Sequence, residues 1–305
     1  MSKSVFIDGA VGTTGLEIRE RLEGRDGLSL ILLDEARRKD REARREALNS
    51  ADFVILCLPD DAAREAVALI DNPHTRVIDA SSAHRVAEGW TYGFPELGFD
   101  VVNARFVSNP GCYPTGFLAL VAPLVRAGLI PADWPLTVNA VSGYSGGGKA
   151  LIERFENDET LAYRDYGFGL AHKHLPEMQR HAGLAYAPVF APMVIRAHRG
   201  MVVEVPLPLA ALPTRPGRDA ILATLTAAFA GSPIVTVHQG QPDELLVRES
   251  AAGNDRLDLY VFAGADGAQA RLVATLDNLG KGASGAAVQS LNLMAGLDPL
   301  AGLNL

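Results

Sequence analysis

The sequence predicts an α/β protein of two domains, the first built on an open, mostly parallel sheet and the second an α+β unit with a mostly antiparallel sheet. Three observations carry that expectation. Apolar runs alternate with helical patterns from Val5 to Ser108, the order of a parallel sheet with right-handed crossovers. A glycine-rich turn, Gly9-Ala10-Val11-Gly12-Thr13-Thr14-Gly15, follows the first run and opens the first helical pattern. After Cys112 the rhythm changes, and strand patterns follow one another with few helices between them.

Val5 to Asp8 is the first strand and Thr13 to Glu23 the first helix, stopped near Gly24. Leu28 to Leu33 is a mostly apolar run, as expected for a parallel strand buried on both faces. The charged stretch Glu35 to Asn49 is partly helical. Phe53 to Leu58 is the next strand, Asp61 to Ile70 the next helix, and Val77 to Ala80 and Arg105 to Ser108 complete the sheet. Beyond Cys112, the residues Phe117, Leu120, Val121, Leu124 and Val125 recur at helical spacing and make one buried helix face. Leu136 to Ser142, Val189 to Ala197, Met201 to Leu207, Ile234 to His238, Leu257 to Phe262 and Ala270 to Leu276 are strands, and Asp219 to Ala230 is a helix. Arg199-Gly200 reads as a hairpin turn between two of these strands. A last helical stripe runs through Ala283, Ala287, Leu291 and Met294.

The 305 residues suffice for two cores, and 48% hydrophobic with 21% charged residues is a globular composition. A net charge of −8 argues against a general nucleic-acid binder. No uncharged apolar stretch approaches the ~18 residues of a membrane span. The two cysteines, Cys57 and Cys112, make no disulfide framework, and the N-terminus lacks signal-peptide architecture. The expected setting is a reducing cytoplasm, with Cys112 a free thiol.

In the glycine turn, spaced G-x-x-G-x-x-G between a strand and a helix, the backbone can approach a pyrophosphate that rests on the helix N-terminus. That is the context of a Rossmann-type dinucleotide-binding domain. Gly9, Gly12, Thr13, Thr14 and Gly15 are therefore cofactor-binding candidates. Asp34 ends the second strand about 20 residues on, where an acid would hold a ribose 2′-hydroxyl and select NAD. Arg37 and Arg38 follow at once and suit a 2′-phosphate instead. The alternative is that Arg37 to Arg45 is a solvated helical face balanced by Glu42 and Glu46.

Asn109-Pro110-Gly111 makes a tight turn ahead of Cys112, which lies at or just before the first turn of a helix. Unpaired amides and the positive end of the helix dipole favour a thiolate there and can hold an oxyanion. A buried, inert cysteine is the competing reading. Cys57, inside an apolar strand, keeps the inert reading. A nucleophilic thiol attacking an acyl carbon would form a thioester that hydride can reduce, and this needs a proton relay. His172-Lys173-His174-Leu175-Pro176-Glu177 is the source, at the start of a helix running to about His181, with Glu177 able to fix an imidazole tautomer. The same residues could make a metal site, although no further ligands at familiar spacing accompany them. Ser142-Gly143-Tyr144-Ser145-Gly146-Gly147-Gly148-Lys149 ends a strand and opens a helix, so it is either an anion cradle or a flexible turn. Asp79-Ala80-Ser81-Ser82-Ala83-His84-Arg85 lies at the carboxyl end of a parallel strand, where ligands bind. Arg85 either pairs with an anionic substrate or is a surface arginine.

Taken together, these residues resemble the N-acetyl-gamma-glutamyl-phosphate reductase family, NADP-dependent enzymes of arginine biosynthesis. The matching pieces are Gly9 to Gly15, Asp79 to Arg85, Tyr92-Gly93-Phe94-Pro95-Glu96-Leu97, Asn109 to Thr115, Ser142 to Lys149, His172 to Glu177, and Asp277-Asn278-Leu279-Gly280-Lys281-Gly282-Ala283-Ser284-Gly285. They occur in the family's order across nearly the whole chain, with the sparse insertions of its short form. The resemblance implies that Cys112 is the nucleophile, His174 the acid and base, and that Asn278, Lys281 and Gly282 lie near the nicotinamide. With it come Ser81, Ser145 and Gly146 as cofactor contacts, and Asn109, Arg85, Ser142 and His172 as substrate contacts. It implies NADP(H), N-acetylglutamyl phosphate as substrate, no metal, a homodimer or homotetramer, and an arrangement like aspartate-semialdehyde dehydrogenase. On that arrangement, residues 1–111 and 283–305 bind the dinucleotide, and 112–282 carry catalysis, substrate binding and dimerisation. Ser82-Ala83-His84 replaces the more usual alanine-aspartate-phenylalanine, which leaves His84 without a role. Lys173 replaces a frequent arginine. The rival readings are a related semialdehyde dehydrogenase acting on another acyl phosphate, and a dinucleotide-binding redox sensor without turnover.

Overall fold

Apolar side chains alternate along the N-terminal strands so that each strand feeds two cores. A computed structural model describes residues 2–248 and 253–305 and divides into two units, Met1–Gly111 with Ala283–Leu303, and Cys112–Gly282 with Asn304–Leu305. In the first unit, β1 (Lys3–Asp8), β2 (Leu28–Ile31), β3 (Phe53–Leu56), β4 (Arg76–Asp79), β5 (Thr91–Tyr92) and β6 (Phe106–Ser108) form one sheet in the order β2-β1-β3-β4-β6-β5. All of its pairings are parallel. Val5, Ile7, Phe53, Ile55 and Ile78 face one side, and Phe6, Val54, Leu56 and Val77 the other. This is the period-2 alternation of a strand.

Helix α1 (Thr13–Leu22) and a C-terminal helix, Gly285–Ala295, cover the first side. Ile18 and Leu22 meet Ala287, Val288, Leu291 and Met294 there. Helices α2 (Arg41–Ser50) and α3 (Asp60–Ala68) cover the second through Ala47, Leu48, Ala63 and Ala66. The expectation for Leu28 to Leu33 is corrected. β2 stops at Ile31 and is half-buried, and Leu32 is exposed, because β2 is the edge strand and has a neighbour on one side only. β5 is a short addition that no sequence pattern marked.

The second unit begins with α4 (Cys112–Arg126). Tyr113 to Leu124 are buried all round, whereas the spacing suggested one buried face. The reason is that α4 is a central helix, packed against both strands and helices. The rest comprises β7 (Thr137–Gly143), α5 (Gly148–Asn157), β8 (Tyr163–Asp165), α6 (Leu175–Ala182), β9 (Val189–Ile195), β10 (Met201–Leu207), α7 (Arg218–Ala228), β11 (Val235–Val237), β12 (Leu257–Ala263) and β13 (Ala270–Leu276). The strand order is β11-β12-β13-β10-β7-β9-β8, antiparallel except for the β7–β9 and β11–β12 pairs. Arg199-Gly200 is therefore no hairpin, since β7 lies between β9 and β10. Residues 197–200 instead strap across the end of β7. The amides of Gly143, Tyr144 and Ser145 donate to the carbonyls of Gly200, Ala197 and His198 at 2.8, 2.9 and 3.1 Å.

Candidate active site

Cys112 is the first residue of α4, at the positive end of the helix dipole. Gly282 packs directly on it. A Cβ at Gly282 would lie 2.9 Å from the Cys112 Cβ, so this backbone approach excludes any side chain. The segment that brings Gly282 there is held by Asp277, whose Oδ1 accepts from the amides of Leu279 and Gly280 at 2.8 and 3.2 Å. Arg199 pairs with the same carboxylate, its Nε 3.1 Å from Oδ1 and 2.9 Å from Oδ2. Asn278 joins the strap to the glycine cluster. Its Oδ1 accepts from the Gly200 amide at 2.9 Å, and its Nδ2 donates to Ser145 Oγ at 3.0 Å. Both ends of the Asn278 amide are thus engaged within the unit. The cradle reading of Ser142 to Lys149 is narrowed likewise, since the amides of residues 143–145 already have carbonyl partners. Ser142 is buried, Gly146 exposed, and Lys281 only 2% exposed.

The histidine segment packs against the residue that follows Cys112. The Tyr113 ring lies 5.8 Å from His174, 6.2 Å from His172 and 5.1 Å from Phe190, and the two imidazoles are 4.7 Å apart. His174 precedes α6, where Pro176 occupies the first turn, and it is 6% exposed. Glu177, in that same turn, is 1% exposed. The His174 amide donates to His172 Nδ1 at 3.2 Å, which makes Nε2 the protonated nitrogen of a neutral His172. Tyr113 and Tyr166 were missed in the sequence. Tyr113 OH donates to the Met193 carbonyl at 3.1 Å, and the hydroxyls of Tyr113 and Tyr166 are hydrogen-bonded to each other. Burial pushes both phenols up, with Cys112 adding to each, so both remain protonated donors. The Tyr166 ring is 5.7 Å from His172. The only signals were the adjacency of Tyr113 to Cys112 and the glycines that flank Phe168 between Tyr166 and His172.

In the first unit the glycine turn has the geometry of a phosphate cradle. Gly9 has φ +89°, and a Cβ there would meet the Cys57 carbonyl oxygen at 2.3 Å. Gly12 caps α1 with no side-chain hydrogen bond, and the first turn of α1 holds no acid. The amides of residues 13–15 thus face an uncapped helix end, which fits a pyrophosphate. Arg37 and Arg38 form exposed ion pairs with Glu46 at 3.1 Å and Glu35 at 2.9 Å, whereas Arg44 of the same stretch turns inward onto buried Asp8 at 2.8 Å. Asp34 Oδ1 accepts from the Arg37 amide at 2.9 Å. Asp79, wholly buried, receives the Ser81 amide at 2.9 Å, Ser81 Oγ at 2.7 Å and His84 Nδ1 at 2.6 Å. Trp90 stacks on the His84 ring at 4.1 Å, so His84 now has a place, locking the loop after β4. Arg85 is buried, its Nε 3.0 Å from the Asn109 carbonyl, and Asn109 Nδ2 donates to the Ala283 carbonyl at 2.9 Å. The surface-arginine reading of Arg85 is set aside by that burial.

Among the described residues, no group of three or more His, Cys, Asp and Glu is placed to hold a metal, and no helix is long and apolar enough to cross a membrane.

The semialdehyde dehydrogenase NAD-binding domain model matches residues 4–104, and the semialdehyde dehydrogenase dimerisation domain model matches residues 112–278. The class that the fold and these models define is the semialdehyde dehydrogenase. A Pseudomonas putida protein named N-acetyl-gamma-glutamyl-phosphate reductase 2 is 51% identical over 302 residues, 96% of each chain. Proteins named N-acetyl-gamma-glutamyl-phosphate reductase from Trichormus variabilis and Brucella ovis are 47% and 50% identical, covering 98% and 97% of this chain and 98% and 100% of theirs. The chain belongs to the N-acetyl-gamma-glutamyl-phosphate reductase family. Among solved structures, aspartate semialdehyde dehydrogenase II complexed with ASA from Vibrio cholerae matches with a TM-score of 0.71 at 16% identity, over 97% of this chain and 99% of that one. Aspartate semialdehyde dehydrogenase with NADP from Candida albicans matches at 0.65 and 14%, over 96% and 98%. At these identities the likeness is one of fold.

The protein packed around Cys57 pushes its thiol up to about 12, and Asp79 and Asp8 add to the shift. At pH 8 only about one part in 10⁴ of such a thiol is thiolate, the reactive form. Iodoacetamide at pH 8 is therefore expected to label native protein at Cys112 and leave Cys57 intact, as read by peptide mass spectrometry. Comparable labelling of Cys57 would contradict this assignment.

Proposed function

We propose that this chain catalyses the NADP(H)-dependent reductive dephosphorylation of N-acetyl-L-glutamyl 5-phosphate to N-acetyl-L-glutamate 5-semialdehyde, a step of arginine biosynthesis. The observation that carries this reading is the nucleophile end of α4, where Gly282 packs on Cys112 and a buried His174 packs on the neighbouring Tyr113. The names of the relatives supply the substrate.

Cys112 thiolate attacks the acyl carbon, and the amides at the start of α4 hold the developing oxyanion. The tetrahedral intermediate collapses with loss of phosphate, leaving a thioester on Sγ. The hydride for reducing this thioester is what NADPH would supply when bound. His174 protonates the thiohemiacetal oxyanion and takes that proton back when the aldehyde forms and the thiol is released. Glu177, buried in the same turn, would orient the His174 ring. Ser142 and His172 contact the substrate, as do Asn109 and Arg85.

The amides of Thr13, Thr14 and Gly15, with Gly9 and Gly12, would hold the cofactor pyrophosphate. Ser81, Ser145, Gly146, Asn278, Lys281 and Gly282 complete its binding. The Asp34 carboxylate is engaged by the Arg37 amide, which supports NADP over NAD. Arg37 and Arg38 would exchange their exposed glutamate partners for the 2′-phosphate, since such surface pairs contribute about 0–1 kcal/mol. The enzyme works in the cytoplasm as a homodimer or homotetramer, assembled through the unit that the dimerisation-domain model matches.

The test runs the reaction backwards, with N-acetylglutamate 5-semialdehyde, inorganic phosphate and either NADP or NAD. Reduction of NADP that depends on phosphate is the expected result. Reduction without phosphate would mean plain aldehyde oxidation, and faster turnover of aspartate semialdehyde would favour the related dehydrogenase. Binding of NADP with no reduction under any of these conditions is what a redox sensor would give.

A further inference from the structure

We infer that Arg164 recognises the α-carboxylate of the substrate and so sets the enzyme's preference for an N-acylated amino acid over a simple aldehyde. The inference rests on the substrate reading above. That substrate carries two anions, the phosphate at the reacting carbon and a carboxylate on the α-carbon, with two methylenes between the reacting carbon and the α-carbon. A carboxylate taken out of bulk water needs charged hydrogen-bond donors.

The cations of the second unit that could serve are mostly engaged elsewhere. Arg199 is paired with Asp277. Arg196 donates to the carbonyls of Leu161, Phe155 and Asp158. Lys149 and Lys173 are exposed. Arg164 is different on three counts. It is half-buried, and among the described residues no carboxylate lies within ion-pair distance of it. Its guanidinium carbon lies 4.3 Å from the centre of the Tyr166 ring, whose hydroxyl is bonded to that of Tyr113. It sits on β8 opposite Val194 of β9, one residue from Met193, whose carbonyl anchors the Tyr113 hydroxyl. Arg164 and Tyr166 thus extend the aromatic wall of Tyr113, His172 and His174 outward from Cys112.

The stacking mode fits the task. A guanidinium lying on an aromatic face uses its flat side and keeps its in-plane N–H groups free. Those N–H groups form the fork that matches a carboxylate in two parallel hydrogen bonds. Tyr166 would hold the fork in one plane before substrate arrives, which lowers the cost of ordering a long side chain on binding.

The experiment compares two aldehydes, N-acetylglutamate 5-semialdehyde and 4-acetamidobutanal, which is the same molecule without the α-carboxylate. Each is assayed with phosphate and NADP on the full-length wild type, Arg164→Gln and Arg164→Lys. For the acid, Arg164→Gln is expected to lower kcat/KM about 10- to 100-fold, the usual scale for losing a charged hydrogen bond, with most of the change in KM. Arg164→Lys keeps the charge but loses the fork, and falls between. For 4-acetamidobutanal the wild type is already poor, and the variants are expected to match it within about twofold, because the group Arg164 recognises is absent. Equal losses on both aldehydes, or no loss on the acid, would overturn the role of Arg164. A wild type that does not turn over the acid at all would overturn the substrate reading, and this inference with it.

Discussion

Cys112→Ser is expected to lose at least about 10⁴-fold in turnover while still binding NADPH, because removing the thiolate removes the covalent route. A serine hydroxyl at the same helix start is far less acidic than a thiol, so almost none of it is ionised for attack. The two halves of the expectation are measured separately. Steady-state assay with N-acetylglutamate 5-semialdehyde, phosphate and NADP reads turnover, and fluorescence titration with NADPH reads binding. Cofactor binding should persist, since the glycine turn and α1 belong to a different unit of the chain. Turnover close to that of the wild type would sink the thioester mechanism altogether. Loss of both turnover and binding would instead indicate a general folding defect, which a thermal melt of the variant would reveal.

The second large effect is at His174. His174→Asn is expected to lower kcat by about 10²- to 10⁴-fold, the range that general acid–base catalysis contributes. Asparagine keeps a polar side chain of similar reach at a buried position but cannot cycle a proton. The companion variant His172→Asn should cost less, because His172 Nδ1 already accepts the His174 amide and so acts on local geometry. The two variants discriminate cleanly. An unchanged rate in His174→Asn, with a collapse in His172→Asn, would transfer the proton relay to the other imidazole.

The parts of the site that were readable in the sequence are those with a local cause. A glycine at φ +89° ahead of a helix leaves a spacing pattern, and so does a cysteine placed after Asn109-Pro110-Gly111. Pro176 and Glu177 mark the first turn of α6 in the same way, and place His174 just before it. Residues whose role comes from strand pairing left no such trace. The 197–200 strap looks like a hairpin in sequence, and only the insertion of β7 between β9 and β10 shows that its carbonyls serve the amides of residues 143–145. Asp277 looks like any acid at a strand end until Arg199 and the amides of Leu279 and Gly280 converge on it. Arg164 lies on an edge strand too short to show a periodicity, and Tyr166 just beyond its end, so neither was singled out. His84, a departure from the family's usual residue, acquires its purpose only through Asp79 and Trp90.

The sequence by itself determined the alternation of strands and helices in the first unit, the cofactor turn, and the placing of Cys112 at a helix start, because each depends on backbone preferences within a few residues. Tertiary structure decided which strands are neighbours and which amides already have partners. It left β2 at an edge and buried α4 on every side. It also packed Gly282 on Cys112 and set Tyr113 among His172, His174 and Tyr166. Those outcomes depend on contacts between residues far apart in the chain, where backbone groups must find partners and side chains must fill space together, and no short-range pattern encodes that choice.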